Sequence, residues 1–337
     1  MEPDLFLADL EEKPRRLTEL ADSLRAADPW SSVPATQSWL LLGMGSSHYA
    51  NQVAAARLRS YGVAAVAELA GSDLLPRVGA GTTVVAVSAS GGSAETLDAV
   101  RRLRAAGDRA RFVALTNRPG TDLADLCDLE VGLAAGEERG GVACRSFQHT
   151  LALLLALEAR LTGSGPRTTG GAGSPGSPGS PSDLLERAAE ASAHLLDTRD
   201  AWLPVLSSAV LGPQGTHVVA PARRLSSALQ SALMLREGPR LPAYACETAD
   251  WSHVDVYLTR TTDYRLVLLP GSRWEPELLD WVRRRGSTLV AVGGDVPGAA
   301  LTVRYPHDDV DDVRLLTETL VLELVAARAW QTQPRAD

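Results

Sequence analysis

The chain of 337 residues carries 33 Lys and Arg against 41 Asp and Glu, a net charge of −8, which disfavours nucleic acid and anionic membranes as main partners. A hydrophobic content of 45% and a charged content of 22% are typical of a globular protein with room for two domains. The sequence contains no apolar run of membrane-spanning length and no secretory signal pattern near Met1. Three cysteines without metal-ligand spacing suit a reducing compartment, so we expect a cytoplasmic protein.

Apolar periodicity predicts alternating strands and helices in the first half of the chain. An amphipathic helix is expected over 5–27, and Pro14 within it can begin a second helical segment, because proline fits the first turn of a helix. The predicted strands lie at 38–42, 63–68, 82–87 and 111–116, and the main predicted helices at 48–61 and 147–161. This alternation is typical of a parallel sheet with helices on both faces.

The stretch 162–182 consists almost wholly of Gly, Ser, Pro and Thr. Such a composition cannot form a core, so we predict a flexible linker between a first domain at 1–161 and a second at 183–337. The second half is predicted to be α/β again, with strands at 209–211, 266–269 and 288–292 and helices at 183–199, 223–236, 275–284 and 310–330.

Two turns rich in glycine and serine follow predicted strands. Ser88-Ala89-Ser90-Gly91-Gly92-Ser93 joins the strand at 82–87 to a helix, where free backbone N–H groups and the positive end of the helix dipole suit a phosphate. A serine-rich N-cap that binds nothing would have the same composition. The turn Gly43–Ser47 follows the first strand. Ligands of open parallel sheets bind at the carboxyl ends of strands, so both turns can line one pocket.

Five stretches resemble, in order, the motifs of one protein family: the entry helix at Glu11–Pro14, the first turn at Gly43–Ser47, the S-x-S-G-x-[ST] phosphate turn at Ser88–Thr96, the strand end at Ala114–Asn117 and the loop at Gly136–Phe147. On these motifs the chain resembles the tandem sugar-isomerase (SIS) family, which includes the isomerase half of glucosamine-6-phosphate synthase and related deaminases and deglycases. The resemblance implies two SIS domains, each a parallel sheet flanked by helices in a flavodoxin-like three-layer sandwich.

The resemblance also implies a bound sugar phosphate. Its phosphate would be held by Ser47, Ser88, Ser90 and Ser93, together with backbone N–H groups of the 89–93 turn. A dianion at a helix N-terminus gains charge-assisted hydrogen bonds, which are about twice as strong as neutral ones. Further contacts to the sugar are expected from Ser46, His48, Ala89 and Glu138, of which His48 and Glu138 could equally be structural.

In the second half, residues 228–237 resemble the family's A-L-E-G-A-L-K-L-K-E helix, which places Glu237 and His253 on its acid/base pair. Aldose–ketose interconversion needs one group to move a proton between C1 and C2 and another to open the ring, and a carboxylate and an imidazole suit these tasks. The family's histidine comes from a neighbouring subunit, so the resemblance implies a homodimer with sites at the interface. Without the resemblance, Glu237 would be interpreted as a solvated helix end and His253 as a partly buried histidine.

Departures from the family's sequence motifs narrow the set of reactions that the resemblance implies. Lys13 is the only lysine, and Met234 replaces the lysine of the K-L-K-E segment. An arginine cannot form a Schiff base, because it does not deprotonate. We therefore expect a sugar-phosphate isomerase, or a deaminase or deglycase in which the substrate's own nitrogen forms the imine. No glutaminase domain, metal or organic cofactor is expected. The sugar, the reaction direction and the release of nitrogen stay open, and a non-catalytic phosphosugar sensor is the alternative.

Overall fold

The computed structural model describes residues 1–34, 36–106, 109–163 and 179–333. It contains two parallel five-stranded sheets with helices against them, so the predicted α/β class is confirmed. The strands of the first sheet are β1 (Ser38–Gly43), β2 (Ala64–Leu69), β3 (Thr82–Val87), β4 (Arg111–Thr116) and β5 (Leu129–Gly132). Those of the second sheet are β6 (Thr216–Ala220), β7 (Ala243–Glu247), β8 (Arg265–Leu268), β9 (Thr288–Val292) and β10 (Leu301–Val303).

The helices alternate with these strands. Those of the first half are α1 (Pro3–Glu11), α2 (Lys13–Ala26), α3 (Gly45–Ser60), α4 (Ala94–Ala105), α5 (Asp122–Asp125) and α6 (Arg145–Thr162). Those of the second half are α7 (Pro181–Val210), α8 (Leu225–Glu237), α9 (Thr248–Trp251), α10 (Glu275–Arg285), α11 (Asp311–Thr317) and α12 (Thr319–Thr332), with short 3-10 helices at Ala222–Arg224 and Asp255–Arg260. Pro14 lies in the first turn of α2, as its fixed φ angle favours.

The two sheets share one topology. The first has the strand order β2-β1-β3-β4-β5, and the second, counted from its other edge, has the order β7-β6-β8-β9-β10. In both, the chain leaves the first strand toward one neighbour and returns on its other side. Ligands of such sheets bind where the strand order reverses, outside the carboxyl ends of the strands. The topology therefore defines one crevice between β1 and β3 and another between β6 and β8.

Several second-half elements differ from the sequence prediction. The strand expected at 209–211 is wrong, because α7 runs to Val210. Leu203, Leu206 and Val210 are buried at helical spacing, and this periodicity outweighs the short apolar run at the end of the helix. The strands β5, β6, β7 and β10 were not predicted. Each has five residues or fewer, which leaves little pattern to detect.

Residues 164–178 of the predicted linker lie outside the described residues, as do 334–337. At the linker's edges, α6 extends to Thr162, and α7 begins at Pro181 behind a capping box formed by Ser180 and Asp183. The division into domains at 1–161 and 183–337 stays a prediction. Within the described ranges, no helix is long and apolar enough to span a bilayer.

The two halves share a hydrophobic core. One cluster of buried side chains includes Val85 of the first sheet and Val267 of the second. Between the halves, the buried Arg57 of α3 donates to Glu158 of α6 at 2.6 Å and to Asp312 of α11 at 2.7 Å. Helix α8 packs against α3 of the first half as well as against β6, β7 and α12. It thereby carries its last residue toward the first sheet.

Candidate functional site

The turn after β3 is built around Gly91. Its N–H donates to the carbonyl of Ser88 at 2.9 Å, and its φ of +66° lies in the left-handed region. A side chain at Gly91 would also collide with Thr121. The glycine therefore allows the chain to turn sharply into α4 with three serines around the helix N-terminus.

The serines of this turn are engaged to different degrees. Ser93 caps α4 by accepting from the N–H of Thr96 at 3.4 Å, and it donates to Glu95 at 2.9 Å. Ser90 accepts from the N–H of Gly92 at 3.2 Å. The N–H of Glu95 and the hydroxyl of Ser93 lower the pKa of the Glu95 carboxyl. The N-cap that the sequence offered as the alternative is thus present, and the same donors already stabilise a carboxylate.

The turn after β1 lies beside it, since β1 and β3 are adjacent strands. Gly43 is followed so closely by α3 that a side chain there would come within 3.0 Å of Ser47 and Asn51. Ser46 and Ser47 occupy the first turn of α3 and are partly exposed. Their hydroxyls bond to no residue of the described chain, so both are available to a ligand at the β1–β3 crevice.

His48 faces a different neighbour. It is 8% exposed, and burial lowers its pKa, while a hydrogen bond with the backbone of Glu68 acts in the opposite direction. Glu68 belongs to β2, which lies on the other side of β1 from the Ser88–Ser93 turn. Contact of His48 with the sugar stays a prediction, and this packing favours its structural alternative.

Asn117 connects the phosphate turn to the next loop. Its N–H donates to the carbonyl of Ala89 at 3.0 Å. Its side chain accepts from Ala135 N–H at 2.9 Å and donates to the carbonyl of Gly136 at 2.6 Å. The Ala89 carbonyl is therefore already occupied by Asn117, and the turns after β3, β4 and β5 form one continuous hydrogen-bonded edge.

Glu138, in the loop after β5, caps α6. One carboxylate oxygen accepts from the N–H groups of Cys144, Arg145 and Ser146 at 2.7, 2.7 and 3.0 Å, and the other accepts from the Ser146 hydroxyl at 2.6 Å. Four donors at a helix N-terminus hold this carboxylate in place. Its role as a sugar contact stays a prediction, and its structural role is evident.

Glu237 ends α8 close to Glu138. It is partly exposed; burial raises the pKa of its carboxyl, and the negative charge of Glu138 raises it further. The next residue, Gly238, lies against the ring of Trp330, which a side chain there would approach to 3.0 Å. A carboxylate whose pKa is shifted toward neutrality suits proton transfer. The structure thus brings Glu237 to the edge that carries the phosphate turn.

His253 lies elsewhere. It is exposed and follows β7 and α9, at the carboxyl end of the second sheet, whereas Glu237 precedes β7 at its amino end. The five residues of β7 alone rise by about 13 Å at about 3.3 Å per residue. Within a single chain, His253 and Glu237 therefore do not belong to one site.

Buried ion pairs behind this edge were not predicted from the sequence. Lys13 of α2 pairs with Glu323 of α12, and both side chains are fully buried. Arg145, the first residue of α6, is 1% exposed and donates to Asp9 at 3.1 Å and to Glu12 at 2.6 Å. The only usable signal was the single lysine in an arginine-rich chain, and it does not name its partner. Within the ranges described, no three His, Cys, Asp or Glu side chains are grouped to hold a metal ion.

The fold and the paired Gly/Ser turns at the β1–β3 crevice define an α/β protein with a candidate ligand edge on its first sheet. Residues 36–160, which contain this edge, match the family model of the SIS domain. This part of the chain is therefore similar to a SIS domain, and the second half lies outside the match. The chain is 28% identical, over 321 residues and 91% of its length, to the isomerizing glutamine–fructose-6-phosphate aminotransferase of Aeropyrum pernix. It covers 48% of that protein and so spans about half the length of the curated relative.

Solved structures share the fold across both halves. The C-terminal domain of glucosamine-fructose-6-phosphate aminotransferase from Francisella tularensis superposes with a TM-score of 0.76 at 18% identity, over 98% of this chain and 96% of that one. Tagatose-6-phosphate ketose/aldose isomerase from Escherichia coli gives 0.75 at 17%, over 97% and 92%. Glucosamine-6-phosphate deaminase from Thermotoga maritima gives 0.69 at 17%, over 97% and 94%. At these identities the comparison shows a shared fold and nothing more specific.

Proposed function

We propose that this protein is a cytoplasmic phosphosugar enzyme, an aldose–ketose isomerase or an amino-sugar-phosphate deaminase or deglycase that acts on a sugar 6-phosphate. One observation carries the proposal. The Ser88–Ser93 turn, Asn117, the loop to Glu138 and the carboxylate of Glu237 follow one another along the carboxyl edge of the first sheet. An anion site and a proton-transfer group therefore stand on the same edge. The proposal treats the second half as a second SIS domain without the serine-rich turn.

The division of labour follows from the chemistry of each part. Ser47 and the hydroxyls and N–H groups of the 88–93 turn hold the phosphate, which takes no part in the reaction. Glu237 moves the proton between C1 and C2, a task for which its raised pKa suits it. In the deaminase or deglycase reaction, the substrate's own nitrogen supplies the imine, so no enzyme lysine is needed.

His253 would open the ring and handle the oxygens. Within one chain, His253 lies at the carboxyl end of the second sheet and Glu237 at its amino end. We therefore propose that a second copy of the chain supplies the histidine, as a homodimer with shared sites would allow. Mixing Glu237→Gln with His253→Ala tests this arrangement, because a hybrid dimer would contain one site with both native residues. Activity that returns on mixing two inactive variants supports the shared site, and continued inactivity of a proven hybrid dimer rejects it.

The main experiment is a turnover screen with hexose and hexosamine 6-phosphates. Sugar interconversion followed by NMR reports isomerase activity, and ammonium release reports the deaminase. Glu237→Gln should lower kcat by about 10²- to 10⁴-fold, the usual contribution of a general base. Glu277→Gln, which removes an exposed carboxylate from α10, should leave kcat unchanged. Turnover that survives Glu237→Gln would show that another group moves the proton.

A phosphosugar sensor is the second candidate, and the separation of Glu237 from His253 within one chain favours it. A monomer would then hold a phosphate without an acid/base pair. Tight binding of a sugar phosphate with no turnover at any protein concentration identifies the sensor. Turnover that rises with dimer formation identifies the enzyme.

A further inference from the structure

The second sheet has its own crevice, between β6 and β8, and arginines lie around it. Arg223 and Arg224 follow β6, Gly271 follows β8, and Arg314 reaches the same place from α11. This is the position that corresponds, in the shared strand order, to the β1–β3 crevice with its serine-rich turn. Fold topology thus places a second candidate ligand edge in the other half of the chain.

The three guanidinium groups converge beside Gly271. The position that a Cβ atom would take on this glycine lies 2.9 Å from Arg223 Nη2, 3.2 Å from Arg224 Nη2 and 3.4 Å from Arg314 Nη1. Gly271 has a φ of +129°, which favours glycine, and it is exposed. Arg223 Nη2 donates to the carbonyl of Gly271 at 3.0 Å, and Arg224 Nη2 and Arg314 Nη1 donate to the carbonyl of Pro270, so three guanidinium groups surround an exposed turn.

Two carboxylates form ion pairs with Arg223 and Arg224 at this turn. Asp311 bonds to both Arg223, at 2.5 Å, and Arg224, at 3.0 Å, and Glu318 pairs with Arg224. Arg314, 8% exposed, donates to the carbonyl oxygens of Asp308 and Pro270. No carboxylate among the described residues forms an ion pair with it.

Among the described residues Arg314 is thus the one arginine of the three without a direct ion pair, although the charges of Asp311 and Glu318 favour its protonated form. Burial and the charge of Arg224 lower its pKa, while Tyr305, Glu318 and Asp311 oppose this, and a guanidinium stays protonated in proteins. Its Nη2 atom makes no hydrogen bond within the described chain and lies 3.1 Å from the position of a Cβ atom on Gly294. A buried cation with a free donor at a ligand edge is stabilised by an anion.

Glu275 currently uses the other donors of this crevice. Its carboxylate accepts from the N–H groups of Gly271 and Ser272. Glu275 is the first residue of α10 and is partly exposed. The turn after β8 thus has an acidic side chain on the N–H groups that an incoming anion would use, much as Glu95 lies at the turn after β3.

We propose that the crevice between β6 and β8 is a second anion site, which binds a phosphate group through Arg223, Arg224 and Arg314. The ligand class is a dianionic phosphate, either free or as an ester. Because the site lies in the other half of the chain, the proposal does not depend on the function assigned to the first.

Equilibrium dialysis with radiolabelled inorganic phosphate at low salt tests the stoichiometry. The native chain should bind two phosphates, and Ser88→Ala/Ser90→Ala, which weakens the first site, should retain one. In that background, Arg223→Gln should weaken the remaining phosphate by roughly ten- to a hundredfold, the effect of losing one charge-assisted contact. Arg223 suits the test because its side chain is 33% exposed and Arg224 keeps Asp311 paired.

Glu275→Gln provides a test with the opposite sign. Removing its charge should tighten the second phosphate, whereas a purely structural arginine cluster would show no change. Arg283→Gln is the control, since its 80% exposed side chain pairs only within α10. The proposal is overturned if the serine variant binds no phosphate, or if Arg223→Gln and Glu275→Gln both leave its affinity unchanged. If Arg223→Gln removes one bound phosphate while the serine changes remove none, the first site is refuted and the second site stands.

The same variants distinguish the two ligand sources. In the serine background, a hexose 6-phosphate that binds more tightly than inorganic phosphate identifies an ester, because the sugar then adds contacts. Equal or weaker binding of the ester identifies free phosphate.

Discussion

Replacing Lys13 by methionine should destabilise the fold strongly. Lys13 and Glu323 pair with both side chains fully buried, so the change leaves a carboxylate in the core without its cation. Breaking a buried pair in this way costs about 3–5 kcal/mol, whereas an exposed pair such as Arg283–Asp280 contributes about 0.5 kcal/mol or less. We therefore expect Lys13→Met to lower the free energy of unfolding by about 3–5 kcal/mol and Arg283→Gln to change it little.

The pH dependence gives a second, independent signature. Burial raises the pKa of Glu323, and Lys13 opposes this rise. Without Lys13 the pKa should rise further, and a raised carboxyl pKa favours the folded state at low pH and loses that contribution as pH rises through it. Urea denaturation should therefore show a larger destabilisation of Lys13→Met at pH 8 than at pH 5.

A double variant tests whether the unpaired charge causes the loss of stability. Lys13→Met/Glu323→Leu replaces both charges by apolar groups and should recover most of the lost stability. A Lys13→Met variant within 1 kcal/mol of the native protein would contradict the argument. A double variant that is less stable than the single one would contradict it too, because the unpaired charge could not then be the cause.

Three further changes test other parts of the site. Gly91→Ala should lower the melting temperature and weaken phosphate binding, because it strains a left-handed residue by about 1–2 kcal/mol and clashes with Thr121. Gly92→Ala is the control, since there is room for its Cβ atom, and it should have neither effect. Glu138→Gln should lower the pKa of Glu237 and so move the acidic limb of the pH profile of kcat/KM to lower pH. If the limb does not move, the charge of Glu138 does not act on the catalytic carboxyl. Burial lowers the pKa of His149 to about 4, so this residue should remove up to about 3 kcal/mol of stability as pH falls from about 6.5 to below 4. His149→Gln, which gains no proton, should flatten that loss in urea unfolding.

Local features of the sequence predicted the strands and turns of the first candidate ligand edge, whose ligand stays a prediction. The strands before the Gly43–Ser47 and Ser88–Ser93 turns are apolar runs, and the turns carry glycines where the backbone needs them. These signals lie within a few residues of one another, so periodicity and turn chemistry suffice to find them. Adjacency of the two turns then followed from the topology of parallel sheets.

The features that were missed depend on distant partners. Lys13 and Glu323 are separated by 310 positions, and Arg223 and Arg314 meet only because α11 returns to the second sheet. The sequence left Glu138 open between a sugar contact and a structural role, because nothing local shows that the N–H groups of 144–146 bond to it. Residue type indicates that a charge needs a partner, and only the fold decides which one.

Helix α8 has a consequence for how the two crevices communicate. It begins directly after Arg223 and Arg224 and ends at Glu237, so a helix of 13 residues, about 20 Å long, joins the candidate anion site of the second sheet to the candidate proton-transfer group. A ligand that displaces one end by binding must work against the packing at the other end. If occupancy of one site changes the affinity at the other, linkage requires the same factor in both directions, so the coupling free energy can be measured from either side.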